Sequence, residues 1–278
     1  MACCDTRCSG TRRCGGSTTA LLVLLGCVVS VAARADVGST SLGTPQQGAL
    51  RDPFALPAEA SVLVLHADTV RRDARFATLE LAALLVRAAR TVHAAAGGPP
   101  MVVADCSRPG GGPLPHHRSH ASGRDADVLF YVLDASGRPV RAPGFLPFDG
   151  RGRCRRRGCT LRLDLRRNWW LVRTLVASRR PAVQFVFVAE PIRRLLLAYG
   201  RARGDDPRWL RRAARVLVQP SDALPHDDHF HVRIYCSPED RRKGCRDVGP
   251  RWPWLSDAGA IVPDGTEAAG GRSTDAPD

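Results

Sequence analysis

The sequence has almost no lysine and few aromatic residues. Lys243 is the only lysine, and phenylalanine, tryptophan and tyrosine together make up 6% of the chain. The formal net charge of +14 therefore comes from arginine. Nucleic-acid-binding modules combine positive charge with a recognisable motif. This sequence has neither a helix-turn-helix spacing nor aromatic residues interleaved with the basic ones. We therefore predict no nucleic-acid partner and assign the positive charge to contact with an anionic polymer of the cell envelope.

A long apolar run is also missing, which argues against a membrane span. The apolar residues 19–32 follow three arginines and precede Ala-Arg-Ala at positions 33–35. A basic start, a short apolar core and a small-residue cleavage site are the three parts of a secretory signal. We predict that residues 1–35 are a signal peptide, that the mature chain has no transmembrane span, and that the protein is periplasmic or secreted. Cleavage before Cys27 is the alternative, and it would leave a lipid anchor on that cysteine.

The cysteines beyond the predicted signal peptide include no C-x-x-C pair, which excludes a cysteine-based zinc knot. Five cysteines remain there, and disulfides form in exported proteins. Cys154 and Cys159 bracket one short segment, and Cys236 and Cys245 bracket another. We predict these two disulfides, with Cys106 as the free thiol.

The order of the elements along the chain predicts an α+β fold. We divide the 278 residues into a signal peptide, an N-terminal arm at 36–60, one folded domain at 61–255 and a disordered tail at 256–278. Strands and helices alternate irregularly, which favours a small, largely antiparallel sheet with flanking helices. The predicted strands cover residues 61–66, 101–104, 127–133, 182–189 and 229–235, and the predicted helices cover residues 79–96, 167–178, 192–203 and 209–216.

Histidine is concentrated in two clusters. Asp125 and Asp127 follow the first cluster and share one face of an extended segment, because strand side chains alternate. By the same rule His229, His231 and Arg233 share a face, and the apolar residues between them anchor the strand in the core. Two imidazoles, one carboxylate and a water form a common catalytic zinc set, so we predict Zn²⁺ in a cleft on the sheet. The clusters contain six of the eight histidines: His116, His117, His120, His226, His229 and His231.

At these residues the sequence resembles the penicillin-insensitive murein endopeptidases. They belong to a wider group with lysostaphin-type peptidases, D-Ala-D-Ala metallopeptidases and the hedgehog signalling domain. This group shares an H-x(6)-D element, here His120 and Asp127, and a later H-x-H element, here His229 and His231. More specific likenesses are H-x-S-H, G-x-D-x-D, H-D-D-H-F-H-V-R-I, R-N-W at 167–169 and the strand around Gln184. The resemblance covers roughly residues 60–236.

The resemblance implies a role for each matching residue and makes residues 61–255 a zinc metallopeptidase domain. The implied zinc ligands are His120, Asp127 and His231, the implied active-site histidine beside the metal is His229, and His226 and His117 are further cleft residues. His229 would take a proton from the attacking water or stabilise the oxyanion. One departure is Ala121, where the family commonly has Gln, and it affects a contact around a ligand rather than a ligand.

The resemblance also implies a substrate. The partner would be cross-linked peptide of peptidoglycan, and the bond cleaved would join D-alanine to meso-diaminopimelate. Two alternatives stay open at this point. One is a D,D-carboxypeptidase that acts on stem peptides, and the other is a non-catalytic domain that binds zinc or the cell wall.

Overall fold

A computed structural model describes residues 38–221 and 223–255. The predicted signal peptide, Cys27 and the tail at 256–278 lie outside the described residues and stay predictions. The described helices are α1 Ala67–Arg71, α2 Leu79–Ala96, α3 Leu165–Ala177, α4 Glu190–Ala202, α5 Pro207–Val216 and α6 Pro238–Arg242. The described strands are β1 Thr40–Gly43, β2 Gly48–Arg51, β3 Phe54–Ala55, β4 Glu59–Ala60, β5 Leu63–Leu65, β6 Phe76–Ala77, β7 Met101–Val103, β8 Asp125–Leu129, β9 Val132–Leu133, β10 Pro139–Val140, β11 Arg162–Leu163, β12 Val183–Phe187, β13 Leu217–Val218 and β14 His229–Ile234.

The main sheet runs in the order β13-β12-β14-β8-β7-β5-β4 in the part of the chain that the structure describes. Strand β12 is parallel to β13 and β5 is parallel to β7, whereas the other neighbours are antiparallel. The prediction of an α+β fold with a largely antiparallel sheet is confirmed. Strands β14 and β8 lie side by side near the middle of the sheet, so Phe230 and Val232 of β14 can be fully buried.

Helix α2 has the predicted bounds because its sequence carries both end signals. The hydroxyl of Thr78 accepts a hydrogen bond from the Leu81 N–H at 3.3 Å, which caps the first turn. Gly97 ends the helix with a φ of +59°, a conformation that favours glycine. The guanidinium of Arg167 in α3 then donates to the carbonyls of Ala96 and Gly97 at 2.6 and 2.9 Å. Arg167 of the R-N-W segment therefore binds α3 to the C-terminal end of α2.

The other large helices begin slightly earlier than predicted because polar residues and prolines define their first turns. Helix α3 begins at Leu165, where the carboxylate of Asp164 accepts from the Arg167 N–H at 3.1 Å. Helix α4 has proline in its first turn, and α5 combines a proline with a cap from Asp206. Proline suits this position because the first helical N–H groups have no partner within the helix.

The strand predicted at 127–133 is wrong in its bounds, since β8 begins at Asp125 and a separate strand, β9, follows it. The break occurs at Tyr131, whose backbone is bonded by a side chain rather than by a strand. Asn168 donates to the Tyr131 carbonyl at 2.8 Å, and its amide oxygen accepts from the Tyr131 N–H at 3.0 Å. This contact redirects the chain into a small sheet formed by β9, β10 and β11.

Residues 38–60 contain more regular structure than an extended arm. Strands β1 and β2 form a hairpin, β3 pairs with β6, and β4 is the edge strand of the main sheet. The hairpin is fixed by contacts distant in sequence, because Gly43 exchanges backbone hydrogen bonds with Gly244 and Arg246 at 3.2 and 2.8 Å. Strands that are held by backbone bonds to distant residues need no local apolar pattern, so the sequence of this segment predicts only an extended arm.

The predicted disulfides are confirmed. Cys154 is bonded to Cys159 and Cys236 to Cys245, while Cys106 is a buried free thiol. Over the described ranges, no helix combines the length and the apolar character that crossing a membrane demands.

Candidate metal centre and active site

The pairing of β8 with β14 brings the two histidine clusters together. His231 lies opposite Asp127 in the register, and Arg233 lies opposite Asp125. The alternation predicted for β14 is present, since its apolar residues enter the core while His229 is 15% exposed in its side chain. The central strand pair thus carries the second cluster onto the carboxylates that follow the first.

His120 lies in a tight turn that is held from both sides. Its φ is +72°, in the left-handed region that residues other than glycine rarely adopt. The hydroxyl of Ser107 donates to the His120 carbonyl and accepts from the Gly123 N–H at 3.0 Å. Gly123 has a φ of +74°, and a Cβ there would meet Leu50 at 2.6 Å. Left-handed backbone costs about 1–3 kcal/mol, so the surrounding contacts force His120 into this position.

Asp127 is the centre of the site. Its side chain is fully buried, and imidazole nitrogens surround its carboxylate. Oδ1 lies 3.4 Å from Nε2 of His120, 3.4 Å from Nε2 of His229 and 3.5 Å from Nδ1 of His231. Oδ2 lies 3.7 Å from Nδ1 of His117. Four histidines from two distant segments therefore converge on one carboxylate.

Two of these imidazoles are oriented by buried acceptors. Nδ1 of His120 donates to the carbonyl of Cys106 at 2.6 Å, so Nε2 is the nitrogen that faces Asp127. Nε2 of His231 donates to the carboxylate of Asp125 at 2.7 Å, which leaves Nδ1 toward Asp127. The same carboxylate oxygen accepts from Nε of Arg233 at 2.6 Å. Histidine ligands of metals are held in this way, through the nitrogen that does not touch the metal.

The other two imidazoles are held by the buried carboxylate of Asp105 and by the partly exposed carboxylate of Asp228. Nε2 of His117 donates to Asp105 at 3.0 Å, and Asp105 also accepts from Arg72 at 2.7 Å. Nδ1 of His229 donates to Asp228 at 2.5 Å. The sequence prediction missed the role of Asp105, which lies two residues after the end of β7. A buried acid at the end of an apolar strand was the available signal.

Charge couples these groups. Burial disfavours the charged form of a histidine and lowers its pKa. At His120 and His229 attraction to the Asp127 carboxylate outweighs burial, so the pKa of His120 lies above its ordinary value and the pKa of His229 rises to about 10. At His231 burial dominates and the pKa falls to about 4; at His226 burial and the neighbouring imidazoles lower the pKa to about 3. Burial would raise the pKa of Asp127, yet His229 and His120 hold it well below its usual range. The raised pKa values of His120 and His229 and the lowered pKa of Asp127 thus share one cause, the attraction between these imidazoles and the carboxylate.

The donor atoms fit a metal ion. One ligand atom from each of His117, His120 and Asp127 lies within 4.8 Å of the others. Nε2 of His120 and both carboxylate oxygens of Asp127 are buried without a hydrogen-bond partner among the described residues. Unpaired buried polar atoms are rare in folded proteins, and a cation would satisfy all three. His117, predicted as a cleft residue, lies inside this group. The predicted ligand His231 is not part of it, although its Nδ1 lies 3.5 Å from Oδ1 of Asp127.

A cavity of about 930 Å³ opens onto this centre. His226 lies at its wall, with its ring 4.9 Å from that of His229. His120 is fully buried beneath it. Five of the six predicted site residues line the cavity: His117, Asp127, His226, His229 and His231.

The sequence was compared with protein families and with curated proteins. The family model of the penicillin-insensitive murein endopeptidases matches residues 41–251. The chain belongs to this family. A penicillin-insensitive murein endopeptidase of Haemophilus influenzae is 33% identical over 148 residues, which are 51% of this chain and 46% of the relative. The alignment thus spans about half the length of that curated relative.

Gln184, which helped to suggest the murein endopeptidase family, and Ala121, which departs from its usual sequence, both have structural roles. The amide of Gln184 is fully buried, and its nitrogen donates to the Val248 carbonyl at 3.2 Å. Ala121 is buried too, and its N–H donates to the Pro45 carbonyl at 2.9 Å. Ala121 thus packs against the turn of the β1–β2 hairpin. These residues support the site from outside the cavity.

Proposed function

We propose that this protein is a zinc-dependent peptidoglycan endopeptidase that hydrolyses peptide cross-links, at the bond between D-alanine and meso-diaminopimelate. The observation that carries the proposal is the buried Asp127, which four oriented imidazoles surround at the floor of an open cavity. Membership of the murein endopeptidase family supplies the substrate class. Since the aligned relative is matched over about half its length, its activity comes to this chain only as part of this proposal.

We assign His120, Asp127 and His231 as the zinc ligands. The inner nitrogens of His120 and His231 both face Oδ1 of Asp127, and their outer nitrogens are bonded to Cys106 and Asp125. His117 is a further donor within reach of Asp127. Bound zinc supplies a Lewis acid that lowers the pKa of a coordinated water toward about 7 and polarises the substrate carbonyl.

His229 acts as the proton carrier. Asp228 holds its Nδ1 at 2.5 Å, which directs Nε2 toward the interior of the site. Attraction to the Asp127 carboxylate is the main effect that raises the pKa of His229. A cation held by that carboxylate would weaken the attraction and lower this pKa toward the range of a general acid or base. His229 can then accept a proton at Nε2 and return it to the leaving amine.

His226 and His117 complete the polar wall of the cavity. The pKa of His226 is lowered to about 3, so its imidazole is neutral at physiological pH and can exchange hydrogen bonds with a peptide. His117 keeps its orientation through Asp105. These residues position the substrate beside the proton carrier.

Digestion of purified sacculi tests the function. The zinc-loaded protein should convert cross-linked muropeptide dimers into monomers, as mass spectrometry of the products would reveal. Asp127→Asn should abolish both metal content and cleavage, whereas the matched exposed change Glu59→Gln should leave both intact. Release of D-alanine from monomers with intact dimers would instead identify a carboxypeptidase. Binding of zinc and sacculi without any product would identify a non-catalytic domain.

Export stays part of the proposal. A wall substrate requires residues 1–35 to direct the chain out of the cytoplasm, to the periplasm or the medium. N-terminal sequencing of the envelope form should begin at Asp36. A chain that begins at a lipidated Cys27 would replace this prediction by membrane anchoring.

A further inference from the structure

A short, strongly basic loop borders the cavity. Residues 151–157 read R-G-R-C-R-R-R, and the Cys154–Cys159 disulfide closes the segment that contains the last three arginines. We call residues 151–159 the arginine loop. The proposed chemistry uses none of these residues, although Arg155 lines the same cavity as His226 and His229.

The arginine loop is fixed to the cavity wall by several polar contacts. The Arg155 N–H donates to the Pro147 carbonyl at 2.8 Å, and its guanidinium donates to the carboxylate of Asp227 at 2.7 Å. The Asp227 carbonyl in turn accepts from the Phe148 N–H at 2.8 Å. Asp227 belongs to the H-D-D-H segment that carries His226 and His229. The loop therefore has a defined place beside the proton carrier.

The positive charge of the arginine loop exceeds what nearby acids compensate. The carboxylate of Asp149 accepts from the backbone N–H groups of Arg151 and Arg153 at 2.9 and 2.8 Å. Asp227 is engaged by Arg155. Arg156 and Arg157 are exposed and have no carboxylate partner within residues 38–221 and 223–255. Neither side chain is part of the cavity lining, but both residues directly follow Arg155, which is, so two guanidinium groups next to the cavity wall are available to a ligand.

We propose that the arginine loop is a specificity element that binds free carboxylates of the peptide lying in the cavity, through Arg156 and Arg157. A guanidinium presents a planar fork of donors that matches a carboxylate. Wall cross-links carry carboxylates near the scissile amide, among them the second carboxyl of diaminopimelate. The disulfide limits the conformations of the backbone that carries the two arginines, which lowers the backbone entropy lost on binding. This inference rests on the proposed function, because it assigns a substrate feature to the same cavity.

The test compares Arg156→Gln/Arg157→Gln with the control Arg90→Gln/Arg201→Gln. Arg90 and Arg201 are exposed arginines of helices α2 and α4, outside the arginine loop, and both double variants lose two positive charges. Binding of a fluorescently labelled cross-linked peptide is followed by anisotropy, with the zinc-loaded full protein. Cleavage of the same peptide is followed separately. A second peptide has its carboxylates converted to amides.

We expect the loop variant to raise Kd and KM for the free-acid peptide about three- to tenfold, with little change in kcat. The control should bind like the wild type, and the amidated peptide should bind the wild type and the loop variant equally. Equal losses in both double variants, or the same loss on the amidated peptide, would overturn the proposal. Loss of sodium polyphosphate binding with unchanged peptide Kd would assign the loop to a phosphate polymer and would also overturn it. Peptide binding without cleavage would refute the proposed function alone, since the anisotropy comparison still decides the role of the loop.

Discussion

Two substitutions on one strand separate metal binding from proton transfer. His231→Ala removes an imidazole whose Nε2 is bonded to Asp125 at 2.7 Å and whose Nδ1 faces Asp127 at 3.5 Å. His229→Ala removes an imidazole that Asp228 orients at the cavity wall. Both side chains point to the same carboxylate, so proximity alone does not distinguish a ligand from a proton carrier. Their outer partners and burial do.

The structure sets the size of each effect. Loss of His231 removes a charge-assisted hydrogen bond worth about 1.5–3 kcal/mol, but Asp125 keeps its contact with Arg233 at 2.6 Å, so the fold should survive. Removing a ligand should weaken zinc binding by more than the roughly 10- to 100-fold that follows loss of an outer partner. Loss of His229 should leave about one zinc per chain and lower kcat by about 10² to 10⁴.

The assay pairs metal analysis with sacculus digestion for each purified variant, and circular dichroism checks that both are folded. His231→Ala should lose zinc and activity together, whereas His229→Ala should lose activity with zinc retained. Zinc loss in His229→Ala with retention in His231→Ala would reverse the two roles. Full activity in both variants would refute the catalytic assignment of the cluster.

Three further predictions concern the surroundings of the site. Asp125→Asn should weaken zinc binding about 10- to 100-fold while saturating zinc restores the stoichiometry, as a competition titration with a chelator would measure. Apparent zinc affinity should fall as pH falls through the raised pKa of His120, because the ion must displace that proton; affinity independent of pH between about 8 and 6 would contradict this. Removing the Cys236–Cys245 disulfide should cost about 2–3 kcal/mol of unfolding free energy in urea, slightly more than removing Cys154–Cys159, since it closes the longer loop.

Elements with local signals could be predicted from the sequence. Helix α2 has a capping Thr78, an apolar stripe and a terminal Gly97, and its bounds match the prediction. Strand β14 alternates apolar and polar residues, so its buried face was correct as well. In both elements the residues that decide the structure lie inside the element or directly next to its ends.

Elements that depend on distant partners could not be predicted. Strand β8 begins with Asp125, a charged residue that local propensity excludes from a buried strand. It lies there, fully buried, because Arg233 and His231 from the neighbouring strand supply its partners. The hairpin at residues 40–51 likewise depends on backbone bonds to the segment near Gly244.

The site shows the same division at the level of single atoms. The motifs indicated which histidines converge, but a sequence does not specify which nitrogen of an imidazole faces inward. That choice is made by the groups on the outer side: a main-chain carbonyl at His120, and the carboxylates of Asp105 at His117 and Asp125 at His231. Each acceptor takes a hydrogen bond from one nitrogen and leaves the other nitrogen facing Asp127. His117 could thus be recognised as a possible donor to the metal only once Asp105 was seen behind it.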